Sequence, residues 1–194
     1  MKLERIVAVC TANAFRSPSI EACAKGKVNE IGEDIEVIGR GVEAYHWNHV
    51  IAGRVGMPEK YVEGAFKRAI ESPENYSENI RNIIDAFAER AIVARCVLGE
   101  ERRMYRLIIE RFCDETGLPY PSGYHQQLGS DLKGAHVIVA SEKERALIEL
   151  PDERVIVLGI TDALGGTYKA KKPVLEEIKC AVDEAVPRII EQYS

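Results

Sequence analysis

Val9-Cys10-Thr11-Ala12-Asn13-Ala14-Phe15-Arg16-Ser17-Pro18 is the stretch that decides how this chain is read. Ahead of it lies the apolar run Ile6-Val7-Ala8-Val9, and behind it a helical pattern that continues toward Gly32. An apolar run without alternation reads as a strand covered on both faces, the habit of parallel sheets. Ser17-Pro18 reads as a helix start, with Ser at a capping position and Pro in the first turn, where a missing N–H costs nothing. Strand, short loop and helix form the opening of a βα unit, and open α/β sheets place their ligands at such loops.

Working outward, three further β-branched runs repeat the pattern of Arg5 to Val9. They are Ile35 to Ile38, His136 to Ala140 and Arg154 to Leu158. The last helix is expected over Pro173 to Gln192, with Val174, Ile178, Ala181, Val182, Ala185 and Ile189 on one face and a disturbance at Pro187. This order predicts an α/β fold, a three-layer, doubly wound, four-stranded parallel sheet. Residues 49–99 break the rhythm. They read as two helices, one striped by Tyr61, Val62, Ala65, Phe66, Ala69 and Ile70, the other by Ile80, Ile83, Ile84, Phe87, Ala88 and Ala91, with Ser72-Pro73 between them. The expectation is a single domain over residues 1–194 with a helical insertion at about 49–99. A further helix from about Glu100 carries Met104, Leu107, Ile108 and Phe112 and stops at Gly117.

Apolar residues make up 46% and charged residues 29% of the 194 residues, which excludes a disordered chain. A formal charge of −5 gives no reason to expect nucleic acid as a partner. No stretch approaches the ~18 apolar residues of a membrane span, so no membrane partner is expected and the cytoplasm is the expected compartment. The five cysteines, Cys10, Cys23, Cys96, Cys113 and Cys180, form no C-x-x-C pair and read as free thiols.

Four of those thiols read as small buried hydrophobes; Cys10 is different. Between a strand end and a helix start it lies close to free backbone N–H groups and the positive end of the helix dipole, an environment that favours thiolate. The loop Thr11 to Phe15 can curl so that its N–H groups converge on one anion. Arg16 supplies a planar fork for two phosphate oxygens, and Ser17 can donate a hydrogen bond to the sulfur. A nucleophile inside an oxyanion cradle predicts in-line attack of sulfur on phosphorus, a phosphocysteine intermediate and its hydrolysis by water. Neither a metal nor another cofactor is required, because the loop and Arg16 stabilise the transferring group. C-x5-R spacing alone recurs by chance; the flanking strand and helix start give it weight.

Cys10 to Pro18 resembles the signature C-x-G-N-x-C-R-S-P of the low-molecular-weight protein tyrosine phosphatase family. Gly41-Val42-Glu43-Ala44-Tyr45-His46 is similar to the family's slot wall after the second strand. His125-Gln126-Gln127-Leu128 and Ala135-His136-Val137-Ile138-Val139 are similar to its third strand and the lead into it. Thr161-Asp162-Ala163-Leu164-Gly165-Gly166 is similar to its general-acid loop. The resemblance spans about residues 3–48 and 100–194. It implies Cys10 as nucleophile, Arg16 as phosphate clamp, Ser17 as support of the thiolate, Asn13 as keeper of the loop's shape, and Asp162 as acid and then base. Thr11, Ala12, Asn13, Ala14, Phe15 and Tyr45 would line the substrate site. The sequence departs from the pattern at Ala12 for Gly, at Phe15 for the second Cys, and at Ala163 for Pro. The implied activity is a metal-independent phosphomonoester hydrolase of the protein tyrosine phosphatase kind, acting on a phosphorylated protein or a small phosphomonoester and binding phosphate- and vanadate-type anions. Two other readings stay open, a thiol-dependent arsenate reductase and a noncatalytic phosphate or phosphopeptide binder.

Overall fold

The computed structural model describes residues 3–11, 13–42, 104–124, 126, 128–161 and 167–194. The chain divides into two units, Met1–Tyr45 with Met104–Ser194, and His46–Arg103, and every described residue belongs to the first. The helical insertion expected at about 49–99 therefore lies outside the described residues.

Four parallel strands, β1 (Arg5–Cys10), β2 (Glu36–Gly41), β3 (Ala135–Val139) and β4 (Val155–Val157), form one sheet in the order β2-β1-β3-β4. Ile6 pairs with Val37 on one side and His136 on the other, and Cys10 pairs with Gly41. Side chains alternate across a strand. Ile6, Ala8 and Cys10 join a large core with Ile20, Ile109, Leu175 and Ile178, while Val7 and Val9 join a second core with Ile38, Val137, Val139 and Ile148. Both faces are covered, which is why β1 and β3 show no polar alternation.

Helix α1 (Arg16–Ile31) ends at left-handed Gly32, φ 82°, whose N–H reaches the Val28 and Asn29 carbonyls. Its start corrects the sequence reading. Arg16 is the first helical residue, Phe15 precedes it without a side-chain cap, and Ser17 lies inside the first turn with its hydroxyl turned toward Cys10. Residues 104–116 form α2. Its buried stripe is Tyr105, Ile108, Ile109, Phe112 and Cys113, whereas Leu107, expected on that stripe, is 57% exposed. A one-turn helix, α3 (Glu142–Arg145), follows β3. The last helix, α4 (Tyr168–Tyr193), begins earlier than predicted and runs through both Pro173 and Pro187. Each proline removes one backbone bond and crowds the carbonyl four residues back, at about 3 kcal/mol. Leu175, Ile178, Val182, Val186 and Ile189 are fully buried, at about 1.5–3 kcal/mol each, so docking outweighs the prolines. No helix among the described residues is long and apolar enough to cross a membrane.

Candidate active site

The site forms where β1 hands over to α1. Alternation along β1 puts the Cys10 side chain on the α1 face, and the first turn of α1 brings Ser17 back over it, with Sγ 3.1 Å from Ser17 Oγ. The Ser17 hydroxyl also donates to Asn13 Oδ1 at 2.9 Å, and Asn13 Nδ2 donates to the Gly39 carbonyl at 3.2 Å. Asn13 holds φ 48°, a conformation that Asn tolerates better than most side chains, and it is fully buried. A hydroxyl has one hydrogen. With Cys10 as a thiol, the S–H can donate to Ser17 while Ser17 donates to Asn13. Ser17 Oγ is thus placed between the sulfur and Asn13, within hydrogen-bond distance of both.

Arg16 is 5% exposed and its guanidinium is held at both ends. Nη1 donates to the Ile160 carbonyl at 3.4 Å, and Nη2 donates to Glu144 Oε1 at 2.9 Å and to Thr11 Oγ1 at 3.5 Å. Glu144, at the third position of α3, is fully buried. Its Oε1 also accepts from the Thr11 hydroxyl at 2.6 Å, and its Oε2 accepts from Ser141. Burial pushes the Glu144 carboxyl up, but bonds from Ser141 and Thr11 and the charge of Arg16 outweigh burial and hold it below the ordinary carboxylate value.

Behind the loop lies a second buried carboxylate. Glu21 Oε1 accepts from Lys25 Nζ at 2.6 Å, from Ser122 N–H at 2.5 Å and from the Ser122 hydroxyl at 2.6 Å, while Oε2 is buried with no hydrogen-bond partner among the described residues. Oε2 lies against Gly39: a methyl there would meet it at 2.6 Å and Asn13 Oδ1 at 3.2 Å. Flanking the loop, the Phe15 ring is 5.3 Å from the Tyr105 ring, and Lys171 Nζ sits 5.3 Å from the first centroid and 5.6 Å from the second. Lys171 is 3% exposed. The Phe15 side chain is core, and Ala14 packs against that core.

Of the residues singled out in the sequence, Cys10, Thr11, Asn13, Arg16 and Ser17 come together. Ala12, Tyr45 and Asp162 lie outside the described residues, as do Ala163 and Cys96. Cys23 and Cys113 are buried thiols: burial, then the nearby Cys113, pushes Cys23 up to about 12, and burial, then Asp114, pushes Cys113 up to about 11. Cys180 is exposed on α4. Sequence reasoning missed Glu144 and Glu21. Ser141-Glu142-Lys143-Glu144-Arg145 looks like a solvated charge run, and its one usable signal is the Ser-x-x-Glu spacing of a helix start.

Comparison places this architecture. No protein-family model and no curated protein sequence matches the chain. Among solved structures, the fold is that of low molecular weight protein tyrosine phosphatases. The enzyme of this class from T. tengcongensis matches at TM-score 0.57 and 18% identity, over 95% of this chain and 99% of that one. The YwlE arginine phosphatase from Geobacillus stearothermophilus matches at TM-score 0.53 and 16% identity, over 97% and 94%. The protein tyrosine phosphatase from Entamoeba histolytica, with Hepes in its active site, matches at TM-score 0.57 and 12% identity, over 98% and 99%.

Proposed function

We propose that this protein is a cysteine-dependent phosphomonoester hydrolase of the protein tyrosine phosphatase type. The observation that carries the reading is the Cys10–Ser17–Asn13–Gly39 relay beside a buried, oriented Arg16 at the β1–α1 turn. Cys10 sulfur attacks phosphorus and the bond to the leaving oxygen breaks. Asp162 gives that oxygen its proton. Arg16 and the loop amides hold the charge on the transferring group. Water then attacks phosphocysteine, Asp162 takes its proton, and phosphate leaves with sulfur returned as thiolate. No step calls on a metal or a cofactor. The substrate class is a phosphorylated protein side chain, and phosphoarginine belongs in the trial beside phosphotyrosine because one structural neighbour is an arginine phosphatase. Burial of Cys23 and Cys113 weighs against an arsenate reductase that would use them to resolve Cys10.

The test is hydrolysis of para-nitrophenyl phosphate in the presence of chelator from about pH 5 to about pH 8. Wild type should turn over, Cys10→Ser should be inactive, and Asp162→Asn should lose about a hundredfold or more. Folded wild type that binds vanadate without turnover would overturn the enzyme reading in favour of a phosphate-binding protein.

A further inference from the structure

We propose that Glu144 is a positioning residue of this site, holding Thr11 and Arg16, the two ends of the loop, from the short helix behind β3. This rests on the phosphate-binding reading above.

A carboxylate with no exposure is retained only where charge and donors meet both of its oxygens. Glu144 has that full set: Arg16 Nη2 at 2.9 Å and Thr11 Oγ1 at 2.6 Å on one oxygen, Ser141 on the other. In a Ser-x-x-Glu helix start the glutamate ordinarily turns back to the capping N–H. Here it turns inward to the guanidinium. Its platform is tied to the sheet. Ala140 N–H donates to Val9 O at 2.9 Å, next to Cys10, and Ile160 N–H donates to Ala140 O at 2.7 Å. Arg145 in the same helix donates to the Ile148 carbonyl at 2.8 Å and the Leu150 carbonyl at 2.9 Å. The guanidinium is therefore set before substrate arrives, between Glu144 and the Ile160 carbonyl, and binding need not order a long side chain.

Shape and charge separate cleanly in variants. Glu144→Asp keeps the charge and loses reach. Glu144→Gln keeps reach and an acceptor oxygen for Arg16 and loses the charge. Glu144→Ala loses both and carries the risk of not folding, so the first two decide the matter. Each full-length variant is assayed for thermal unfolding, for inorganic phosphate affinity by calorimetry, and for para-nitrophenyl phosphate kinetics. The expected result is about a tenfold to hundredfold loss of kcat in Glu144→Asp, larger than its rise in KM, with phosphate affinity down about tenfold. Glu144→Gln should recover both to within about threefold of wild type. The proposal is overturned if folded Glu144→Asp matches wild type in both, or if Glu144→Gln loses as much as Glu144→Asp. Should wild type bind phosphate without turnover, the hydrolase reading falls and the phosphate affinities still decide the role of Glu144. Should wild type bind no phosphate, both fall.

Discussion

Gly39→Ala probes the back of the loop. The added methyl would lie 2.6 Å from Glu21 Oε2, 3.2 Å from Asn13 Oδ1 and 3.4 Å from the Ser17 carbonyl oxygen. The first distance is far inside normal contact, so something must move. Glu21 cannot swing away cheaply, because its other oxygen is held by Lys25 and by both polar groups of Ser122. Asn13 is held as well, through Ser17 and through the carbonyl of Gly39 itself. Overpacking of this kind costs about 1–3 kcal/mol. Alanine in a strand returns about 0.5–1 kcal/mol of chain entropy, which leaves a net loss of about 0–2.5 kcal/mol. The strain falls on Asn13 and Ser17, so turnover should drop about tenfold or more even at temperatures where the variant is folded. Urea unfolding and para-nitrophenyl phosphate kinetics measure the two effects. A Gly39→Ala protein as stable and as active as wild type would show that the Glu21–Asn13 packing is not constraining and would refute the reasoning.

Two further outcomes are expected. His136 is fully buried in β3 with Nε2 unpartnered among the described residues, and burial, then the charge of Arg154, pushes it down from 6.5 to about 4. The unfolded chain takes up the proton first, so wild type should lose about 3 kcal/mol as pH falls from 6.5 to about 4, and His136→Leu, compared by urea unfolding at both ends of that window, should lack this component; equal pH slopes would sink the assignment. Ser17→Ala removes the hydroxyl between Cys10 and Asn13 and should lower kcat about tenfold or more while leaving the helix intact; an unchanged kcat would mean that the sulfur does not depend on it.

Much of the fold was legible because its signals are local. Apolar runs without alternation mark β1 and β3 as interior strands, and both faces of the sheet are covered. Cys10, Asn13, Arg16 and Ser17 lie within eight residues, so their spacing together with the flanking strand and helix start brings them together. Local rules failed where tertiary packing overrode them. Ser17 looks like a cap from its neighbour Pro18, yet its hydroxyl serves sulfur and Asn13. Leu107 fits a helical stripe and faces solvent, because the side of α2 that meets the core is set by Tyr105, Ile109 and Phe112. Lys171 stands in a lysine-rich stretch, yet it is buried, where the rings of Phe15 and Tyr105 offer its ammonium two faces.

By itself the sequence determined the strand–loop–helix unit and the grouping of Cys10, Arg16 and Ser17 at its turn, since those depend on periodicity and on spacings of a few residues. Only the tertiary structure decided which carboxylates stand behind them. Glu144 reaches Arg16 across 128 positions of sequence, and Glu21 reaches Ser122 across 101. A charge in a charge-rich run looks solvated until the fold removes its water, and what then keeps it charged is a partner that no local pattern names.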